Sequence, residues 1–285
     1  MIISIASGKG GTGKTTITTG LAGILGKRVQ LLDCDVEEPN AHLFIQPEAT
    51  STETITTAVP EVDDSRCTLC GKCDEICQFK AIVVIKDTTV MTFPELCHSC
   101  GGCMAVCPEH AISETTRDIG VRHRGQRDGI DLIYGELRVG EAMAPPLIHA
   151  VRQLADPQKI TLIDAPPGTS CPVIAAMRDT DFVLLVTEPT PFGLHDLKLA
   201  VGAVQTLGIP CGLVINRCDI GDRAVWEYAE QARIPILMEL PFDRQIAECY
   251  SRGDLPAMHM PSLKQRFVDL FDQICAHIAE KGAQK

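Results

Sequence analysis

The chain has 285 residues, 45% apolar and 22% charged, a globular composition long enough for one large α/β domain plus a small module. Its 26 basic against 37 acidic residues give a net charge of −11, which excludes nucleic acid as the main partner. Fourteen cysteines without a secretory leader pattern lead to the expectation of a cytoplasmic, reducing setting in which cysteines bind metal.

The first residues, IISIAS, read as a buried strand running into SGKGGTGKTT, after which TTITTGLAGILG has helical character. Gly8-x₄-Gly13-Lys14-Thr15 in this strand–turn–helix setting fits a P-loop. Backbone N–H groups from Gly8, Gly10, Gly11, Thr12 and Gly13 approach phosphates, and Lys14 reaches the β and γ oxygens. Thr15, followed by Thr16, offers its hydroxyl to Mg²⁺ where the helix dipole also favours anions. Lys9 is surplus to this pattern, and spacing alone allows it to be a solvated loop lysine. A second strand, RVQLLDCD, ends in Asp33, Cys34 and Asp35, and EEPN breaks it; Glu37 and Glu38 read as solvated. Residues 46–62 (QPEATSTETITTAVPEV) are rich in Thr, Glu and Pro and read as a linker.

Composition then changes abruptly. Cys67, Cys70, Cys73 and Cys77 recur as Cys97, Cys100, Cys103 and Cys107, each displaced by thirty, with Gly71 and Gly101 also matching. Both runs read C-x₂-C-x₂-C-x₃-C, in which the tight triple suits three corners of one cubane and the fourth cysteine serves the other cluster. One 4Fe–4S cluster is therefore assigned to Cys67, Cys70, Cys73 and Cys107, and the second to Cys97, Cys100, Cys103 and Cys77. Two structural zinc sites are the alternative, for which steps of three are awkward. His98 and His110 read as surface residues. The pattern resembles bacterial two-cluster ferredoxins, including the Cys107-Pro108 pair; Gln78 stands where the first run would have its proline.

The stretch IGVRHRG…IDLIYGELRVG alternates as a β-hairpin does. Beyond Pro145, KITLIDA, DFVLLVTE, CGLVINR and IPILME are short apolar strands separated by helix-length segments, the rhythm of a parallel sheet covered on both faces. Cys171 reads either as a small buried residue or as a ligand. The tail places Leu263, Phe267, Leu270, Phe271, Ile274 and Ile278 at helical spacing, and Asp269, Asp272 and Glu280 dilute any basic face, so docking on the domain's own core is expected rather than a membrane.

KGGTGKTT resembles the deviant Walker A motif of the MinD/ParA family, which includes the nitrogenase iron protein. The resemblance covers residues 1–45 and about 145–250. It implies that Lys9 crosses a dimer interface to stabilise γ-phosphate charge on the partner's ATP, and that Asp35 positions or activates the attacking water. It further implies a Walker B role for Asp164 on Mg²⁺, a switch glycine at Gly168, adenine contact at Asn216 beside Arg217, and a base-covering loop at Pro241, Phe242 and Asp243. Asp33 is a possible second acid.

The expected fold is a P-loop NTPase α/β three-layer sandwich with a mostly parallel sheet, discontinuous over 1–57 and 116–285, with an α+β two-cluster ferredoxin insert at 58–115. The chain resembles MinD-superfamily ATPases carrying such an insert. That resemblance implies an ATPase working as a homodimer, or as a heterodimer with a similar chain. Its readings are nucleotide-gated electron transfer to a partner metalloprotein, assembly or delivery of a metal cofactor, and a positioning switch with structural clusters; the first two are favoured.

Overall fold

A computed structural model describes residues 1–282. The chain forms two compact units: Met1–Thr52 with Arg122–Glu136 and Ile148–Lys285, and Glu53–Val121 with Leu137–Leu147. In chain order the first elements are β1 (Ile2–Ser7), α1 (Lys14–Leu25), β2 (Val29–Asp33), α2 (Ala41–Ile45) and β3 (Glu48–Val62). Next come α3 (Lys72–Ile76), β4 (Ile82–Ile85), β5 (Thr89–Thr92), α4 (Gly102–Val106), β6 (Ile112–Arg127) and β7 (Ile130–Leu137). Then follow α5 (Pro145–Arg152), β8 (Ile160–Pro167), α6 (Cys171–Met177), β9 (Phe182–Thr187) and α7 (Pro191–Leu207). The chain closes with β10 (Cys211–Asn216), α8 (Ala224–Gln231), β11 (Ile236–Leu240), α9 (Arg244–Ser251), α10 (Pro256–His259) and α11 (Pro261–Gly282).

In the first unit the strand order is β11-β10-β9-β1-β8-β2-β7-β6-β3, to which β6 and β3 contribute their 122–127 and 48–52 ends. The pairings from β11 through to β7 are all parallel. β2 and β9 are buried along their whole length, as expected of strands covered on both faces. Parallel strands all end at one sheet edge, and those ends deliver the P-loop, Asp33, Asp164 and Asn216 there. α7 starts cleanly because Thr190 accepts a hydrogen bond from Gly193 N and Pro191 sits in the first turn. The tail helix α11 packs Leu263, Phe267, Leu270 and Ile274 into the core, with the Phe267 ring lying where a side chain at Gly20 would have to go. No helix among the described residues is long and apolar enough to cross a membrane.

The expected hairpin is β6–β7. Its two-residue turn has φ of 52° at Asp128 and 84° at Gly129, the positive pair that a twisted hairpin prefers. The linker expected at 46–62 is instead the 15-residue strand β3. Its Thr, Ile and Val residues favour an extended chain, and β3 stands last in the strand order, an edge where Pro60 is tolerated.

The second unit holds α3, the antiparallel β4–β5 pair, α4, and the 53–62 and 112–121 parts of β3 and β6. It also takes in 137–147, which the sequence reading placed with the flanking domain. Glu141 explains this: its fully buried carboxylate pairs with Arg117, and Arg138 N–H donates to Ile119 O at 2.9 Å. The thirty-residue repeat is visible in the backbone. Leu69, Gly71 and Lys80 have positive φ, and so do Ser99, Gly101 and His110 at the matching positions.

Candidate functional site

In the first unit, a cavity of about 390 Å³ opens at the strand ends. Gly10, Gly11, Gly13, Lys14, Thr15 and Thr16 line one side, and Asn216, Arg217, Pro241, Phe242 and Asp243 line another. Asp35 also borders it, while Ile246, Tyr250, Leu263 and Phe267 supply an apolar side suited to a flat ring. Gly13 caps α1 in the left-handed region (φ 95°), and a Cβ there would stand 2.6 Å from Asn216 Nδ2. Gly8 is equally constrained, since a Cβ would meet Asp196 O at 2.3 Å.

The polar contacts sort the predicted residues. Thr15 Oγ1 donates to Asp164 Oδ2 at 2.7 Å and Thr18 Oγ1 to Asp164 Oδ1 at 3.2 Å, so the buried Asp164 stands behind the Thr15 hydroxyl. Asp33 pairs in register with Asp164 but accepts from Asp35, Asn40 and Ala41 N–H groups, which makes it the anchor of the loop after β2 rather than a second acid in the cavity. Burial, and then Asp164 beside it, raises its pKa well above the carboxylate range. Burial also raises Asp164, against the Thr15 hydrogen bond and Lys14. Asp35 is pushed up to about 7, mainly by burial with Lys14 opposing, a value suited to a base working near neutrality.

Asn216 Nδ2 donates to Thr12 O at 2.9 Å and its Oδ1 accepts from Arg217 N, so it braces the P-loop and keeps one amide hydrogen and one lone pair for a base. Asp243 caps α9 by accepting from Gln245 N at 2.8 Å. Gly168 is not among the residues lining the cavity, and its N–H donates to Ser7 O at 3.0 Å. Lys9 also lies off the lining, its Nζ 3.7 Å from Glu188 Oε2, and Arg217 holds the other Glu188 oxygen at 3.0 Å. Sequence reasoning missed Glu188. The signal was there, an acid just past an apolar strand as at Asp33 and Asp164.

The second unit has two further cavities. One is lined by Cys67, Cys70, Cys73 and Cys107 together with Val62, Leu69, Val84, Val90, Pro108 and Ile112. The other is lined by Cys77, Cys97, Cys100 and Cys103 together with Val59, Ile76, Phe79, Ile82 and Met104. Each therefore gathers three cysteines of one run and the fourth of the other. Backbone N–H groups point at several sulfurs: Ala81 to Cys77 Sγ and Ala111 to Cys107 Sγ, both at 3.3 Å, and Ser99 to Cys97 Sγ at 3.4 Å. Such donors favour thiolate. Among the described residues no three His, Cys, Asp or Glu side chains are grouped to hold a single metal ion. Four cysteines around each largely apolar space suit a cubane with a ligand at each corner.

His98 stacks on Phe79 with ring centroids 3.4 Å apart. Cys34 and Cys249 are buried, Cys211, Cys218 and Cys275 half-buried, and Cys171 is exposed at the start of α6.

Residues 3–257 match the model of the CobQ/CobB/MinD/ParA nucleotide binding domain. An uncharacterized protein of Methanocaldococcus jannaschii is 31% identical over 264 residues, 89% of this chain and 90% of that one. The iron–sulfur cluster carrier protein of the same organism is 25% identical over 298 residues, 98% of this chain and 84% of the relative. Among solved structures, the cell division ATPase MinD of Pyrococcus furiosus superposes with a TM-score of 0.56 at 25% identity, covering 96% of this chain and 97% of that one.

Proposed function

Because the chain belongs to the CobQ/CobB/MinD/ParA nucleotide-binding family, we propose that it is a Mg-ATP-hydrolysing switch that carries two 4Fe–4S clusters and couples its nucleotide state to electron transfer. One observation carries the reading: a chain with a P-loop cavity also has two cavities, each ringed by four cysteines in the crossed pattern of a two-cluster ferredoxin. Cys67, Cys70, Cys73 and Cys107 would hold one cluster, and Cys97, Cys100, Cys103 and Cys77 the other. Each cluster, when bound, supplies one-electron chemistry.

On the nucleotide side, Lys14 and the loop amides bind the phosphates, while Thr15 and Asp164 would hold Mg²⁺. Asp35 orients and deprotonates the attacking water. Asn216 and the 241–243 loop receive the base. Lys9, paired with Glu188 in the single subunit, acts on a second subunit's nucleotide, so hydrolysis waits on dimer formation with a like chain.

Delivery of a cluster to another protein is the second reading, favoured by the relative named an iron–sulfur cluster carrier and by the exposed thiol of Cys171. The two separate in an anaerobic experiment with an apo-ferredoxin acceptor and a redox-dye acceptor. Dye reduction that responds to ATP with no loss of iron supports electron transfer. Iron moving to the apo-acceptor, and lost on Cys171→Ser, replaces that reading with delivery.

A further inference from the structure

The two cysteine cavities share a backbone repeat but not their electrostatic surroundings. Arg117 on β6 is buried, its side chain only 9% exposed, and its guanidinium pairs with the fully buried Glu141. Glu141 also faces the half-exposed Arg138 at 3.7 Å and accepts from Met143 N at 3.0 Å, so two cations share this carboxylate, and Glu95 is a further acid acting on Arg117. Arg117 Nε is buried with no hydrogen-bond partner among the described residues.

The strand register shows where this cation lies. Asp63 N–H donates to Ala111 O at 2.8 Å just beyond the adjoining ends of β3 and β6, and Pro60 and Glu114, within those two strands, line one cavity together. Continuing that antiparallel register brings Arg117 opposite Thr57, and directly opposed residues share a face. Thr57 Oγ1 lies 2.8 Å from Ser99 Oγ, and Ser99 Oγ donates to Ala58 O at 2.6 Å. The Cys97–Cys100 loop is therefore laid on the strand face from which Arg117 projects. Each cavity has one carboxylate in its lining, Glu109 in the first and Glu114 in the second, so these offset in the comparison. Among the described residues the arginine beside the first cavity is Arg66, whose guanidinium reaches Glu109 O and which is exposed and screened by solvent.

We propose that Arg117 makes the two clusters unequal, holding the one ligated by Cys77, Cys97, Cys100 and Cys103 at the higher potential, so that an electron entering the unit rests there. This rests on the two-cluster reading above. A cluster gains one electron on reduction, passing from its 2+ to its 1+ core with no bond made or broken, and a one-electron donor such as dithionite radical supplies it. A buried cation and a free N–H donor both favour the added negative charge, the two levers that set cluster potentials from outside the ligand shell.

The test is an anaerobic dithionite titration of the full chain followed by EPR, with iron and sulfide content measured on each sample. The wild type should show two midpoints. Cys70→Ser, which spares every ligand of the second cluster, should retain the higher one. Arg117→Gln should lower that midpoint by at least the equivalent of a tenfold change in reduction equilibrium, about 59 mV for one electron, and leave the other in place. Glu141→Gln should raise it, because the compensating negative charge is gone. Opposite shifts from two partners of one ion pair are not what a loss of packing produces, and either variant decides the matter if the other fails to load iron. Full iron content with both midpoints unmoved, or movement of the lower midpoint, overturns the assignment to Arg117. A wild-type chain that takes up no iron and sulfide overturns the two-cluster reading itself.

Discussion

Lys14, Asp35, Asn216 and Phe242 reach one cavity from four separate places along the chain, whereas Cys67, Cys70, Cys73 and Cys107 reach theirs from two copies of one short loop. The first site is a product of strand order. Parallel pairing of β1, β2, β8, β9 and β10 makes distant loops neighbours, and a brace such as Asn216 to Thr12 then fixes them. The second is a product of local backbone conformation, in which residues with positive φ at 69, 71 and 80 recur at 99, 101 and 110 and turn successive sulfurs inward. Damage should therefore stay within the unit where it is made.

The largest effect belongs to Lys14→Ala. Loss of a cation aimed at the developing phosphate charge should cut hydrolysis on the order of 10³-fold, with iron content and cluster absorption unchanged. Simultaneous loss of iron would break the contrast. Cys70→Ser works from the other side: iron should fall by roughly half, one cluster in two, with Mg-ATP affinity by calorimetry kept within about twofold. Asn216→Ala should weaken nucleotide binding about tenfold, because the Thr12 carbonyl loses its donor at about 1 kcal/mol and the loop loosens. Unchanged affinity would remove the bracing role.

The smallest effect is a pH dependence. Asp35 has a folded pKa of about 7 against 3.8 for an ordinary aspartate, so the folded chain holds its proton longer. That contribution to stability is full below about pH 4 and is lost as pH rises through about 7. Between about pH 6 and pH 8 the nucleotide-free protein should lose about 1 kcal/mol on this account, roughly 2–4 °C in melting temperature. Asp35→Asn should melt with a correspondingly smaller drop over the same range.

Legibility in the sequence followed the same divide. The cysteine sets could be read off because spacing within a loop is a local property, and the same sets ring the two cavities. The parallel strands could be read because full burial leaves uninterrupted apolar runs such as DFVLLVTE. What failed depended on partners distant in sequence. The Thr-rich stretch at 46–62 looks like a linker until β6 lies beside it, since alternation on an edge strand is weak and Pro60 reads as a breaker. The hydrogen bond from Gly168 N–H to Ser7 O joins residues far apart in the sequence, and no local pattern announces it. Glu188 went unremarked because its importance lies in two cations, Lys9 and Arg217, that come from other loops. The attachment of 137–147 to the cysteine unit likewise hangs on one buried ion pair, Arg117 with Glu141.

The central claim is that a nucleotide switch and two clusters work together in one chain. Its most direct test is an anaerobic EPR redox titration of the purified protein without nucleotide, with Mg-ADP, and with a slowly hydrolysed ATP analogue. The account predicts two 4Fe–4S signals whose midpoints or line shapes move between the ADP and ATP-analogue states. Two signals that ignore nucleotide would contradict the coupling and turn attention to cluster delivery.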